Sequence, residues 1–395
     1  MTIPPAIRRP ARLLALSLAA LPLTTTPAVA QEAPAPVAPV SPISLSGDLR
    51  AGYFGLERDE RDGSTTTSNE LRARLRLGAE LRIAGAWSAK LRLAGRLSTG
   101  QESVGFFVRD HAPTPAGLRP GEATIDEAYL GYGPSDRLRL RAGRFQSKFA
   151  LADLMGKSLD RSDSPNTDIT WTDGVHLTVT PVPGWRAHLL AQHNAPAGPT
   201  NLVRAPLDLT DHASRVTWFA ALESTAGRGA LVQRALDVTY IPAALKVDGA
   251  DAGATEDYLA VVARGAAAWP TPAGHLLIGG EAGYAPNRPS HSALELDGPA
   301  GKRVGGAAYQ LALTLSDRSD RHRVGVVHGR ADAGWLVAPD FRNNDRLTEA
   351  RYQWRFARGR SFEVRMRHRR DLERPISAAR KRDDVDGYFR VTWRF

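Results

Sequence analysis

Residues 69–83 read NELRARLRLGAELRI, and within them apolar and charged groups alternate almost one for one. Leu71, Ala73, Leu75, Leu77, Ala79, Leu81 and Ile83 take the odd positions, and Glu70, Arg72, Arg74, Arg76, Glu80 and Arg82 the even ones. A helix, with about 3.6 residues per turn, would spread both sets around its circumference, whereas a strand gives each set its own face. Leucine and arginine favour helices intrinsically, but that preference is weaker than the pattern. The stretch therefore predicts a β-strand with one apolar face and one arginine-rich face.

The same period of two recurs along the chain. It marks sixteen segments: 44–56, 69–83, 87–98, 122–132, 136–146, 173–180, 185–193 and 214–224, then 231–241, 256–268, 275–285, 304–315, 321–330, 346–356, 361–370 and 387–395. Apolar content in 242–255 and 286–303 leaves eighteen strands possible. Connections after odd-numbered segments are long, as in ERDERDGSTTTS (57–68) and 147–172. Those after even-numbered segments are short, as in PVPG (181–184) and ARGR (357–360). An up-and-down meander with two unlike ends follows. Transmembrane barrels have this arrangement, with short periplasmic turns and longer outer loops, and a soluble sandwich has no reason for it. Hydrocarbon offers backbone groups no partner, so the sheet must close. The predicted fold is all-β: a transmembrane antiparallel barrel over residues 43–395.

One face of that barrel meets lipid and the other water. Leu71 to Ile83, Leu91, Leu93, Leu311, Leu313, Leu315, Trp354 and Phe356 are assigned to lipid, with aromatic residues such as Tyr53, Trp87, Tyr132 and Trp269 near strand ends. Such rings prefer the headgroup level. The opposite face carries Arg72, Arg74 and Arg76, then Arg92 and Arg96, then Arg139 and Arg141. It continues with Arg351 and Arg355, Arg365 and Arg367, and Arg390. Closure places the last three strands beside the first three, which gathers most of these into one wall. Each would cost a few kcal/mol against lipid, so they must line water. A solid barrel with these arginines paired internally to Glu70, Glu80, Glu349 and Glu363 is the alternative, but sixteen strands enclose more space than side chains fill.

The rest of the sequence fits export. Arg8, Arg9 and Arg12, an apolar stretch from Leu13 to Leu23, and Ala28-Val29-Ala30 resemble a cleavable signal peptide over residues 1–30. Residues 31–42, QEAPAPVAPVSP, form a Pro/Ala-rich periplasmic linker. The chain has no cysteine, which excludes disulfides, thiolate metal sites and a cysteine nucleophile. Its formal charge of +10 suits an anionic membrane surface or anionic solutes; nucleic acid is an unexpected partner for an exported chain.

The connection 147–172 is the longest. It joins an apolar set (Phe149, Leu151, Leu154, Met155) to the acids Asp153, Asp160, Asp163 and Asp168. Taken with the meander, the arginine face, IDEAYLGYG at 125–133, LRAGRF at 140–145 and the C-terminal YFRVTWRF at 388–395, it resembles the Gram-negative outer-membrane porins. The acidic PEFGGD-type segment of many general porins is missing from it. The resemblance implies that 147–172 folds inward as a constriction, with Asp153, Asp160 and Asp163 facing Arg72, Arg74, Arg92, Arg139 and Arg141. It implies a channel for small, anionic solutes, a homotrimer, and contact with outer-membrane lipid and lipopolysaccharide. It also implies that Phe395, with Trp393 and Val391 in register, is the signal read by the barrel-assembly machinery.

No GxGxxG after a strand, P-loop, HExxH or GxSxG occurs. His188 and His193 fall on opposite faces of one strand and cannot chelate together, and no cofactor or metal is expected. A substrate-selective channel for phosphate, anionic sugar or polysaccharide is the nearest alternative. A barrel hydrolase, using pairs such as Asp110-His111 or Asp211-His212, and a purely structural barrel are the more distant ones; no enzyme is expected.

Overall fold

The computed structural model describes residues 42–99, 105–107, 117–195, 204–248, 254–299 and 301–395. The expected signal peptide and, but for Pro42, the expected linker lie outside the described residues. Sixteen long strands follow one another: β1 (Ile43–Asp59), β2 (Thr65–Arg82), β3 (Trp87–Ser98), β4 (Glu122–Ser135), β5 (Leu138–Phe145) and β6 (Thr172–Val179). Next come β7 (Trp185–His193), β8 (Val216–Ser224), β9 (Leu231–Lys246), β10 (Thr255–Thr271) and β11 (Gly274–Tyr284). The last five are β12 (Ala307–Asp317), β13 (His322–Ala331), β14 (Asp345–Ala357), β15 (Arg360–Asp371) and β16 (Asp383–Arg394). Each pairs antiparallel with its sequence neighbours, and β1 pairs with β16 from Asp48↔Arg394 to Asp59↔Asp383. The sheet is closed, with every spanning strand held on both sides, as a barrel in lipid requires. Neither 242–255 nor 286–303 adds a spanning strand among the described residues.

Alternation sorts the side chains as the pattern demands. On β2, Leu71 is 57% exposed on the outer surface while Arg74 is fully buried inside. The outward set continues through Leu91, Leu93, Leu311, Leu313, Trp354, Met366, Phe389 and Val391. These large apolar side chains find their solvent in hydrocarbon.

The interior is not evenly filled. Leu159 of the loop between β5 and β6 packs with Tyr258, Ala260 and Val262 of β10, and with Trp335, Leu336 and Phe341 of the loop between β13 and β14. Leu207, Leu209 and Leu245 belong to the same apolar cluster. The lumen along β9 to β14 is therefore occupied by inward-folded chain. Open space is displaced towards the wall formed by β14 to β16 and β1 to β7.

Candidate functional site

The loop 146–171 crosses the barrel interior. A two-residue hairpin, Lys148–Phe149 against Arg161–Ser162, stiffens it. Its backbone is tied to the far wall: Ala152 N–H donates to Gln233, Met155 N–H to Thr314, Lys157 N–H to Gln310 and Leu159 N–H to Glu281, at 2.6 to 2.9 Å. Trp335 donates its indole N–H to the carbonyl of Leu159 at 2.9 Å. A loop inside a lumen needs partners for its backbone groups, and polar side chains on β9, β11 and β12 supply them.

Two cavities remain. The outer one, about 770 Å³, is lined by thirteen arginines and two lysines against six carboxylates. The periplasmic one, about 1040 Å³, reaches the short turns at Gly85 and Asp136 and includes Arg139, Arg141 and Arg186. Both touch Gln146, Ser147 and Lys148, so these residues stand between the two cavities. Lys148 is exposed to this space and forms no ion pair among the described residues. Enclosure by the barrel lowers its pKa from the ordinary lysine value, with Asp340 opposing the shift and Arg50 and Arg351 adding to it.

The arginines singled out from sequence fall into three groups. Arg72, Arg76, Arg92, Arg351, Arg365, Arg367 and Arg390 line the outer cavity; Arg139 and Arg141 line the periplasmic one. Arg74 and Arg96 are buried against the loop. Arg74 donates to the carbonyls of Ser164 and Asp168 and pairs with Asp48 at 2.9 Å, while Arg96 pairs with Asp168 at 3.1 Å. Arg355 is the outlier: it contacts Asp320 at a short turn and borders neither cavity.

The loop acids are placed differently from the porin-like expectation. Only Asp168 reaches the arginine wall. Asp153 pairs with Arg323 of β13 at 3.3 Å. Asp160 accepts from the Thr239 hydroxyl at 2.9 Å, and Asp163 from the Ser147 N–H and hydroxyl and from Thr172. Burial raises the pKa of both Asp160 and Asp163 to about 6. They hold the loop together instead of facing Arg72, Arg74, Arg92, Arg139 or Arg141. Beside Asp168 the loop offers the wall a neutral acceptor: Asn166 accepts from Arg50 through its backbone carbonyl at 2.6 Å and from Arg390 through its side-chain oxygen at 2.5 Å.

The carboxylates that do balance the wall sit on the wall. Asp126 of β4 is bound by Arg76 and Arg92 at 2.8 Å each, Glu363 by Arg390 at 2.8 Å, and Asp386 by Arg365 and Arg367. Asp126 could not be read from IDEAYLGYG by alternation: it shares its parity with the outward Leu130, and a bulge between Ile125 and Glu127 turns it inward. Lys148 and Asn166 carried no periodic signal. The inward fold of 332–344 was missed, though the apolar run GWLVAPDF (334–341), in which Trp335 and Leu336 are fully buried, could have pointed to it.

At the C-terminus, Val391, Trp393 and Phe395 all point outward, Phe395 being 61% exposed. Its backbone completes the closure with Gly47, donating and accepting at 3.1 and 2.7 Å.

Residues 60–176, from the first outer loop into β6, match the family described as "Putative porin". Solved structures with the same fold include Pseudomonas putida OprB, at 12% identity and a TM-score of 0.56, covering 89% of this chain and 94% of that one. The outer membrane channel DcaP of Acinetobacter baumannii aligns at 12% identity and 0.55, covering 89% and 97%. Pseudomonas aeruginosa OpdL aligns at 14% and 0.53, covering 90% and 99%. A search of curated proteins gives no match. With a closed sixteen-strand barrel, an outward apolar band and these likenesses, the chain is an outer-membrane β-barrel with the porin fold.

Proposed function

We propose that the chain forms a diffusion channel for small hydrophilic solutes and favours anions. The observation that carries this reading is the meeting of the two cavities at Lys148, under a wall whose arginines outnumber its carboxylates. An anion crossing between the cavities would exchange water for guanidinium and ammonium donors in a confined space, where charge interactions are stronger than in bulk water. Arg76, Arg92, Arg365 and Arg367 already share Asp126 and Asp386, so they set a field more than they bind tightly. Lys148, shared by both cavities, stands at the passage, and Arg50 and Arg390 line its outer side. The same reading gives Phe395, Trp393 and Val391 the role of assembly signal and the assembled form as a homotrimer.

Purified protein in a planar bilayer under a salt gradient tests the proposal. Ohmic steps with a reversal potential on the anion side are expected, and Arg92→Glu should move that potential towards cations. A barrel that does not conduct would overturn it.

A further inference from the structure

A row of cations crosses the outer surface of the barrel near its long-loop end. Arg330 on β13, Arg346 on β14 and Arg370 on β15 stand directly opposite one another in the register. Their chain neighbours Ala331, Asp345, Leu347 and Asp371 are buried inside, so alternation turns all three arginines away from the lumen. The Arg370 side chain is 60% exposed and that of Arg330 42%. Like charges directly opposite across strands are destabilising.

The protein balances this row only in part. Arg330 pairs with Asp332 at 2.7 Å. Arg370 comes within 3.8 Å of Asp383, a carboxylate that His368 approaches at 2.7 Å. Arg346 has no ion pair among the described residues. Beside it opens a cavity of about 220 Å³, lined by Arg346, Arg370, Asp371, Leu372 and Lys381. The Asp371 carboxylate does not neutralise this cavity, since it is 1% exposed and bound 2.7 Å from Arg61.

Depth identifies what could fill the gap. One step down the same face come His328, Thr348 and His368, then Val326, Ala350 and Met366, then Val324, Tyr352 and Val364. The cations therefore cap an apolar band on the side of the long outer loops, at headgroup height. We infer that Arg346 and Arg370, with Lys381, bind the phosphate of an outer-leaflet lipid whose acyl chains lie along Val326 and Met366. Guanidinium groups match phosphate in geometry as well as charge, and basic clusters at a membrane surface attract anionic headgroups. The site is outside the barrel, so its test is independent of conduction.

The full chain in detergent, incubated with bisphosphorylated lipid A or its dephosphorylated form, provides that test, with bound lipid read by native mass spectrometry. The phosphorylated lipid should be retained, and the double variant Arg346→Gln/Arg370→Gln should retain it about tenfold less, with conductance and heat-shifted gel mobility unchanged. Should the double variant fail to assemble, Arg346→Gln alone should show an intermediate loss. Equal retention by wild type and variant, or equal retention of the dephosphorylated lipid, would overturn the inference. Displacement by millimolar inorganic phosphate would overturn its lipid assignment and leave a free-phosphate site.

Discussion

The ammonium of Lys157, at the tip of the inner loop, lies 2.7 Å from the carboxylate of Glu349 on β14, with both side chains almost fully buried. That contact fastens the loop to the wall opposite its origin. Glu349 also contacts Arg351 and lies 3.7 Å from Arg365, so the two partners are not equivalent. Glu349→Gln leaves three cations facing one another and should cost about 3–5 kcal/mol, the range for breaking a buried pair. Lys157→Met leaves a carboxylate that still has two arginines and should cost less. Unfolding midpoints of the two variants check the order, and Lys157→Met should also raise current noise through a loosened loop.

The loop should respond to pH through Asp160 and Asp163. Both carboxyls have pKa values raised to about 6, first by burial, above the ordinary value of about 4. Their neutral forms therefore suit the folded loop. That contribution is complete below about pH 4 and is lost as pH rises through about 6. Protection of the loop from proteolysis should accordingly fall between pH 5 and pH 8. Asp160→Asn should flatten the profile, and a profile unchanged in that variant would remove Asp160 from the explanation.

Barrel closure should be sensitive at Gly47. A Cβ there would lie 2.5 Å from the Phe395 ring and 2.9 Å from the Arg76 carbonyl oxygen, so Gly47→Leu must push the terminal ring aside and strain the pairing of β1 with β2. Assembly yield should fall, as it should on deletion of Phe395, and the protein that does insert should conduct normally. Altered conductance with normal yield would make both residues matters of packing alone.

The barrel was legible because its physics repeats. Period-two alternation and the contrast between long and short connections located all sixteen strands, with the largest errors at β9, which continues to Lys246, and at β2 and β16, which begin at Thr65 and Asp383. The site was legible only where it is strand. Arg72, Arg76, Arg92 and Arg390 owe their direction to alternation, while Asp153, Asp160 and Asp163 owe theirs to tertiary contacts formed over many residues, such as Asp160 with Thr239. A loop has no period from which direction can be read. Apolar runs in loops, such as Trp335 to Phe341, were the usable sign that a connection turns inward.

Ion selectivity at the passage is the most direct measurement. Reversal potentials in a salt gradient should place the wild type on the anion side. Lys148→Glu, at the junction of the two cavities, should shift the potential towards cations more than Arg355→Glu at the short turn. A cation-selective wild type, or a Lys148→Glu channel with an unchanged reversal potential, would contradict the placement of the passage beside Lys148.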